Sequence, residues 1–158
     1  MIIEHSVVIY APIGTVWSIF TDLTCWEDWT SVIENVSSTH GRLREGKSFK
    51  FCIRPFVFPI KITPVVEELV PHRRIVWAGR KHSISARHEF IFEDRGESVE
   101  LLSREVFTIG LLKRLFFHLP KKKLHKLSIM MLNDLKHAAE NPSDQVPHED
   151  ELWEIKSD

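Results

Sequence analysis

Three features of the sequence predict an α+β fold of two layers, an antiparallel sheet with one face covered by a long C-terminal helix. Between residues 33 and 109, six consecutive segments alternate apolar and polar side chains with a period of two. From residue 111 to 140 the spacing becomes helical, with Leu124, Leu127, Met131, Leu135 and Ala138 on one stripe. A chain of 158 residues, 43% hydrophobic and 27% charged, has the size and composition of one globular domain with a single core.

The elements follow in order. Residues 2 to 10 form a first strand, ended by Ala11-Pro12, where proline suits the first helical position. Val16, Trp17, Ile19 and Phe20 give the short helix that follows an apolar side. A second short helix is placed near residues 26 to 30, inside the tryptophan-rich segment TDLTCWEDWTS. Residues 33 to 39 make the next strand and Gly41 to Gly46 a turn. In KSFKFCIR, Phe49, Phe51 and Ile53 then fall on one side and Lys50 and Arg54 on the other. Pro55, Pro59 and Pro64 make residues 58 to 69 an edge or bulged strand. RRIVWAG, residues 82 to 94 and residues 98 to 109 complete seven strands, the last two joined by a turn at Asp94-Arg95-Gly96. Pro120 kinks or splits the helical stretch, and Asn141-Pro142-Ser143 stops it. The expected organisation is a domain over residues 1 to 140 and a loosely ordered acidic tail over residues 141 to 158, with LWEI as its one apolar patch.

Composition removes several classes of function. No apolar run reaches the roughly 18 residues of a membrane-spanning helix, and the start MIIEHSVVIY has neither the basic flank nor the cleavage site of a secretory signal. The expected location is cytoplasmic. Cys25 and Cys52 make neither a disulfide framework nor a metal-ligand cluster, no His/Asp/Glu spacing closes a coordination shell, and no cofactor is expected. Net charge is −1, and the basic excess of the body is scattered except at Lys121, Lys122 and Lys123. It lacks the aromatic interleaving of a single-strand nucleic-acid surface, so nucleic acid is not an expected partner.

Three stretches then carry a resemblance: IYAPIGTVWSIFTDLTCWEDW (residues 9 to 29), VVEELVPHRRIVW (65 to 77) and HEFIFEDRGESVELLSREVFTIGLL (88 to 112), ahead of the long helix. Together they resemble the START-like, or SRPBCC, superfamily of helix-grip proteins, which includes polyketide cyclases/dehydrases and lipid-transfer domains. The third stretch looks like a bacterial subgroup with a histidine in the penultimate strand and Glu-x-Phe-x-x-Gly, here Glu105, Phe107 and Gly110, in the last. The resemblance implies a seven-stranded curved sheet wrapped around the C-terminal helix, with an apolar cavity between them for a hydrophobic or amphipathic small molecule. The inward faces carry Phe49, Phe51, Phe56, Phe58, Trp77, Phe90, Phe92 and Phe107, which either fill a core or, with Leu127 and Met131, line such a pocket.

The polar residues on those faces are the candidate site. In SARHEFIF, alternation puts Ala86, His88, Phe90 and Phe92 on one face. With Phe92 opposite Val99 across the hairpin, His88 falls opposite Ser103 and diagonal to Glu105, all inward. A carboxylate on an apolar face is costly unless paired, so His88 and Glu105 are expected to bond to each other. Two functions fit: the pair orients a ligand's carbonyl or hydroxyl, or it serves as acid and base in a cyclisation, dehydration or hydrolysis. A bland alternative is a pair that satisfies itself and fixes strand register, around a filled core in a protein-interaction module. His5 alternates with Ile3 and Val7 and is a weaker inward candidate, and His82 reads as solvated. Trp26 and Trp29 read as packing anchors. GLLKRLFFHLPKKK, residues 110 to 123, reads as a lid over the cavity or as a basic amphipathic element in transient membrane contact.

Overall fold

The computed structural model describes residues 1–55, 57–81, 84–109 and 121–142. Within them, eight strands and three helices run in the order β1 (Ile2–Ile9), α1 (Ile13–Thr21), α2 (Trp26–Trp29), β2 (Ile33–Ser37), β3 (Lys50–Ile53), β4 (Ile60–Ile62), β5 (Val65–Val70), β6 (Arg74–Lys81), β7 (Ile84–Asp94), β8 (Val99–Ile109) and α3 (Lys121–Glu140). The two-layer α+β arrangement is as expected. The strand count is not, because the segment at residues 58 to 69 divides at Thr63-Pro64 into β4 and β5. Pro64 has no N–H to give to a ladder, so pairing stops there and resumes with a different neighbour.

The strands lie in two antiparallel sheets rather than one, a large sheet ordered β1-β8-β7-β6-β5 and a small one ordered β2-β3-β4. The chain before β3 stitches them together. Gly46 N–H donates to Val66 O, Val66 N–H to Lys47 O and Phe49 N–H to Pro64 O, at 2.8, 3.0 and 3.2 Å. Pro12 stands at the N-cap of α1, where its carbonyl accepts from the N–H of Thr15 and Val16. Asp22 Oδ1 accepts the Thr24 N–H at 3.0 Å and caps the 3-10 turn Leu23–Cys25 that leads into α2.

The core lies between the large sheet, the short helices and α3. Phe20 and Trp26 are fully buried there and pack on Trp77, with Phe90 and Phe92 against Phe20 and with Phe49 and Phe51 against Trp26. Trp26 is thus a packing anchor, held by its indole N–H donating to Phe20 O at 2.9 Å. The buried stripe of α3 is Ser128, Met131, Leu132, Leu135, Ala138 and Ala139, the helical spacing anticipated. Asp134 on α3 accepts both the backbone N–H and the hydroxyl of Ser31 at 2.8 Å, tying the α2–β2 connection to the helix.

The break expected at Pro120, most of the lid segment, Phe56, His82 and the acidic tail from residue 143 lie outside the described residues. Among the described residues no helix is long and apolar enough to cross a membrane.

Candidate functional site

β6 and β7 are paired so that Gly79 faces Ala86 directly. Two neighbouring positions on the inner face of the sheet thus carry almost no side chain, and both border a cavity of about 130 Å³ between the sheets and α3. Its walls are mainly apolar, including Ile33, Phe51, Ile53, Ile62, Trp77 and Phe107 from the sheets and Leu124, Leu127 and Met131 from α3. The polar side chains among the described lining residues are His88, Glu105 and Ser128. A larger, more open depression of about 540 Å³ lies over the opposite face of the small sheet, beside Asn35, Lys50, Cys52 and Lys61. It lacks the apolar enclosure that retains a small molecule.

His88 and Glu105 share the cavity wall because β7 and β8 alternate in phase. Their register differs from the expected one: Phe92 lies opposite Leu101, Phe90 opposite Ser103, and His88 directly opposite Glu105. The hairpin loop is longer than the turn anticipated, with Arg95 N–H donating to Ser98 O and Gly96, at φ 83°, giving its N–H to Asp94 Oδ1. Two extra loop residues move the pairing by two positions, which preserves every face. The neighbours become direct instead of diagonal.

The expected His88–Glu105 hydrogen bond is absent. His88 Nδ1 lies 4.0 Å from Glu105 Oε1, beyond hydrogen-bond reach. Instead, His88 Nε2 is 2.7 Å from Ser103 Oγ, and that hydroxyl is buried. The imidazole is also fixed by its rings: it stacks on Phe90 at 4.0 Å between centroids and meets Trp77 edge-on at 5.5 Å. Ser103 thereby occupies one nitrogen and leaves Nδ1 on the Glu105 side.

His88 is uncharged at neutral pH, and Glu105 is uncharged below about pH 7. Burial lowers the His88 pKa to about 3 and raises that of Glu105 to about 7. At that separation a neutral imidazole and a carboxylic acid are not an ion pair. The protonated Glu105 carboxyl is a hydrogen-bond donor on the wall of a mainly apolar cavity.

The other candidates separate into three groups. Phe51, Trp77, Phe107, Leu127 and Met131 line the cavity. Phe49 and Phe90 are buried in the aromatic core and do not reach it, while Ser103 stands behind His88. Phe58, expected inward, is 78% exposed on the β3–β4 connection, where Pro55 and Pro59 end the alternation that put it on the inner face. His5 does face inward, but its ring meets His125 of α3 at 6.2 Å, edge-on, outside the cavity wall. Sequence reasoning passed over Gly79, whose signal was a glycine within an otherwise bulky strand. Cys25 and Cys52 are both free thiols, and Cys52 is buried on β3.

A family model described as polyketide cyclase/dehydrase and lipid transport matches residues 1–140. No curated protein matches the chain. Among solved structures, a protein from Thermus thermophilus, TTHA0849, is similar at a TM-score of 0.74 and 15% identity, over 90% of this chain and 99% of that one. The Zhui aromatase/cyclase from Streptomyces sp. R1128 is similar at 0.73 and 18%, over 90% and 95%. A START superfamily protein from Mycobacterium smegmatis is similar at 0.66 and 16%, over 92% and 99%. At these identities the likeness establishes the fold, and the match over residues 1–140 establishes the family: the chain belongs to the polyketide cyclase/dehydrase and lipid transport family.

Proposed function

We propose that the protein binds a hydrophobic or amphipathic small molecule in the cavity between the sheet and α3. The observation that carries this reading is an apolar cavity with a polar corner, where His88 Nδ1 and the Glu105 carboxyl stand too far apart to bond to each other. Unpaired polar groups in an apolar setting cost stability, and a ligand oxygen meeting them recovers it. Apolar walls supply affinity and the corner supplies orientation. The volume of about 130 Å³ is below the roughly 300 to 1,000 Å³ of drug-sized sites, which favours a compact occupant.

Native mass spectrometry of freshly purified protein, followed by extraction, tests the reading. A stoichiometric apolar adduct is the expected result. Ala86→Phe is expected to remove it by placing a ring where the small residues leave space, with a melting temperature close to that of the parent chain. An adduct that survives Ala86→Phe lies elsewhere and overturns the assignment.

Acid–base catalysis in the same cavity is the second reading, favoured by a carboxyl held near pH 7 opposite a buried histidine. On that reading His88→Ala abolishes turnover while ligand affinity changes only a few-fold. Loss of affinity alone supports the binder.

A further inference from the structure

The polar corner has a span that selects among ligands. His88 Nδ1 and Glu105 Oε1 are 4.0 Å apart, too far to bond to each other. One oxygen atom placed about 2.8 Å from each closes a triangle with that base. Around this point the described residues of the sheet and helix that line the cavity offer no compensating cation. β7 presents His88 opposite Glu105, β1 presents Ile3 opposite it with His5 two residues further, and α3 presents Ser128, with His125 of the same helix packed on His5. None of the described lining residues is Lys or Arg.

We infer that the cavity selects an uncharged single-ring ligand carrying a phenolic hydroxyl or a ketone oxygen that bridges His88 and Glu105, and that it rejects carboxylates. This rests on the binding reading above and narrows it. A carboxylate placed there loses its water without gaining a cation and adds a negative charge beside an acidic side chain. A hydroxyl both donates and accepts, so it meets Nδ1 in either imidazole tautomer while accepting from the Glu105 O–H. Size agrees with this class. An apolar cavity of about 150 Å³ in another protein holds benzene, and this one is about 130 Å³.

Three probes of matched shape separate the possibilities: 4-ethylphenol, ethylbenzene and 4-ethylbenzoate, titrated calorimetrically into the full chain. The phenol is expected to bind about tenfold more tightly than ethylbenzene, the worth of one or two buried hydrogen bonds, and the benzoate not measurably. Affinity for the phenol is expected to fall as pH rises through about 7, when Glu105 loses its donor proton. Glu105→Gln keeps an uncharged donor, so it should retain most of the affinity and lose the pH dependence. Glu105→Leu should bring the phenol down to the level of ethylbenzene, with near-UV circular dichroism confirming that the chain is folded. Benzoate binding as tight as phenol binding, or a phenol affinity that Glu105→Leu leaves unchanged, overturns the inference. If none of the probes binds while a larger apolar adduct persists in native mass spectra, the ring-sized selection is wrong and the binding reading stands. If there is neither, both fail.

Discussion

Trp26→Ala is expected to cost about 3–5 kcal/mol of unfolding free energy, a large share of the stability of a domain this size. The indole is fully buried and touches Phe20, Trp29, Phe49, Phe51 and Trp77, so it joins the aromatic residues of α1, the small sheet and the large sheet. Removing it leaves a hole that ring neighbours on three elements cannot all close, and it deprives Phe20 O of its 2.9 Å partner. The drop in melting temperature should be on the order of 10 °C. Trp26→Phe isolates the hydrogen bond and one ring, and should cost about 1–2 kcal/mol. A Trp26→Ala chain within about 1 kcal/mol of the parent in urea unfolding would show that α2 is a surface appendage, contrary to its packing.

The second large effect is a pH dependence that cancels in the parent chain and appears in single variants. Below its unfolded pKa of 6.5, His88 takes up a proton on unfolding that burial denies it in the folded state, so its contribution to stability rises with pH from about 3 to 6.5. Glu105 behaves in the opposite sense. Folded, it holds a proton up to about 7 that it releases on unfolding above 4.5, so its contribution falls with pH between those values. Between about pH 4.5 and 6.5 the folded pair carries its proton on Glu105 and the unfolded pair on His88. The count is equal, and the pair contributes no slope. Glu105→Gln is expected to expose the histidine slope, with stability rising by up to about 1.4 kcal/mol per pH unit across that window. His88→Leu should expose the carboxyl slope, with stability falling at a similar rate. Chemical denaturation at about pH 4.5, 5.5 and 6.5 reads both. Equal slopes in the two variants would mean that the two groups do not titrate as a buried, oppositely shifted pair.

Much of this site was legible because strand alternation has a period of two. The expected hairpin register was wrong by two residues, yet Ala86, His88, Ser103, Glu105 and Phe107 still shared the inner face, since only an odd shift exchanges faces. What alternation does not encode is distance. It predicted a His88–Glu105 bond where the pairing leaves 4.0 Å, and it gave no hint that Ser103 would take Nε2. Nor does it distinguish an aromatic that fills space from one that borders a void. Phe49 and Phe90 carry the same pattern as Phe51 and Phe107, and which of them faces the cavity depends on Gly79 and Ala86 meeting across a strand pair. Proline marked the trouble at residues 55 to 64 correctly, but whether it bulges one strand or divides two sheets depends on which neighbour takes up the pairing.

That division has a consequence for the timing of hydrogen exchange. The small sheet supplies one cavity wall, and among the described residues the backbone bonds that tie it to the large one are those of residues 46 to 49 with Pro64 and Val66. Elements so attached open as units of their own, at a lower free energy than global unfolding. Amides of β3 and β4 should therefore exchange before those of β7 and β8, in a group, and occupancy of the cavity should slow that group while leaving the large sheet unchanged. The two walls of the cavity would then be distinguishable by their clocks.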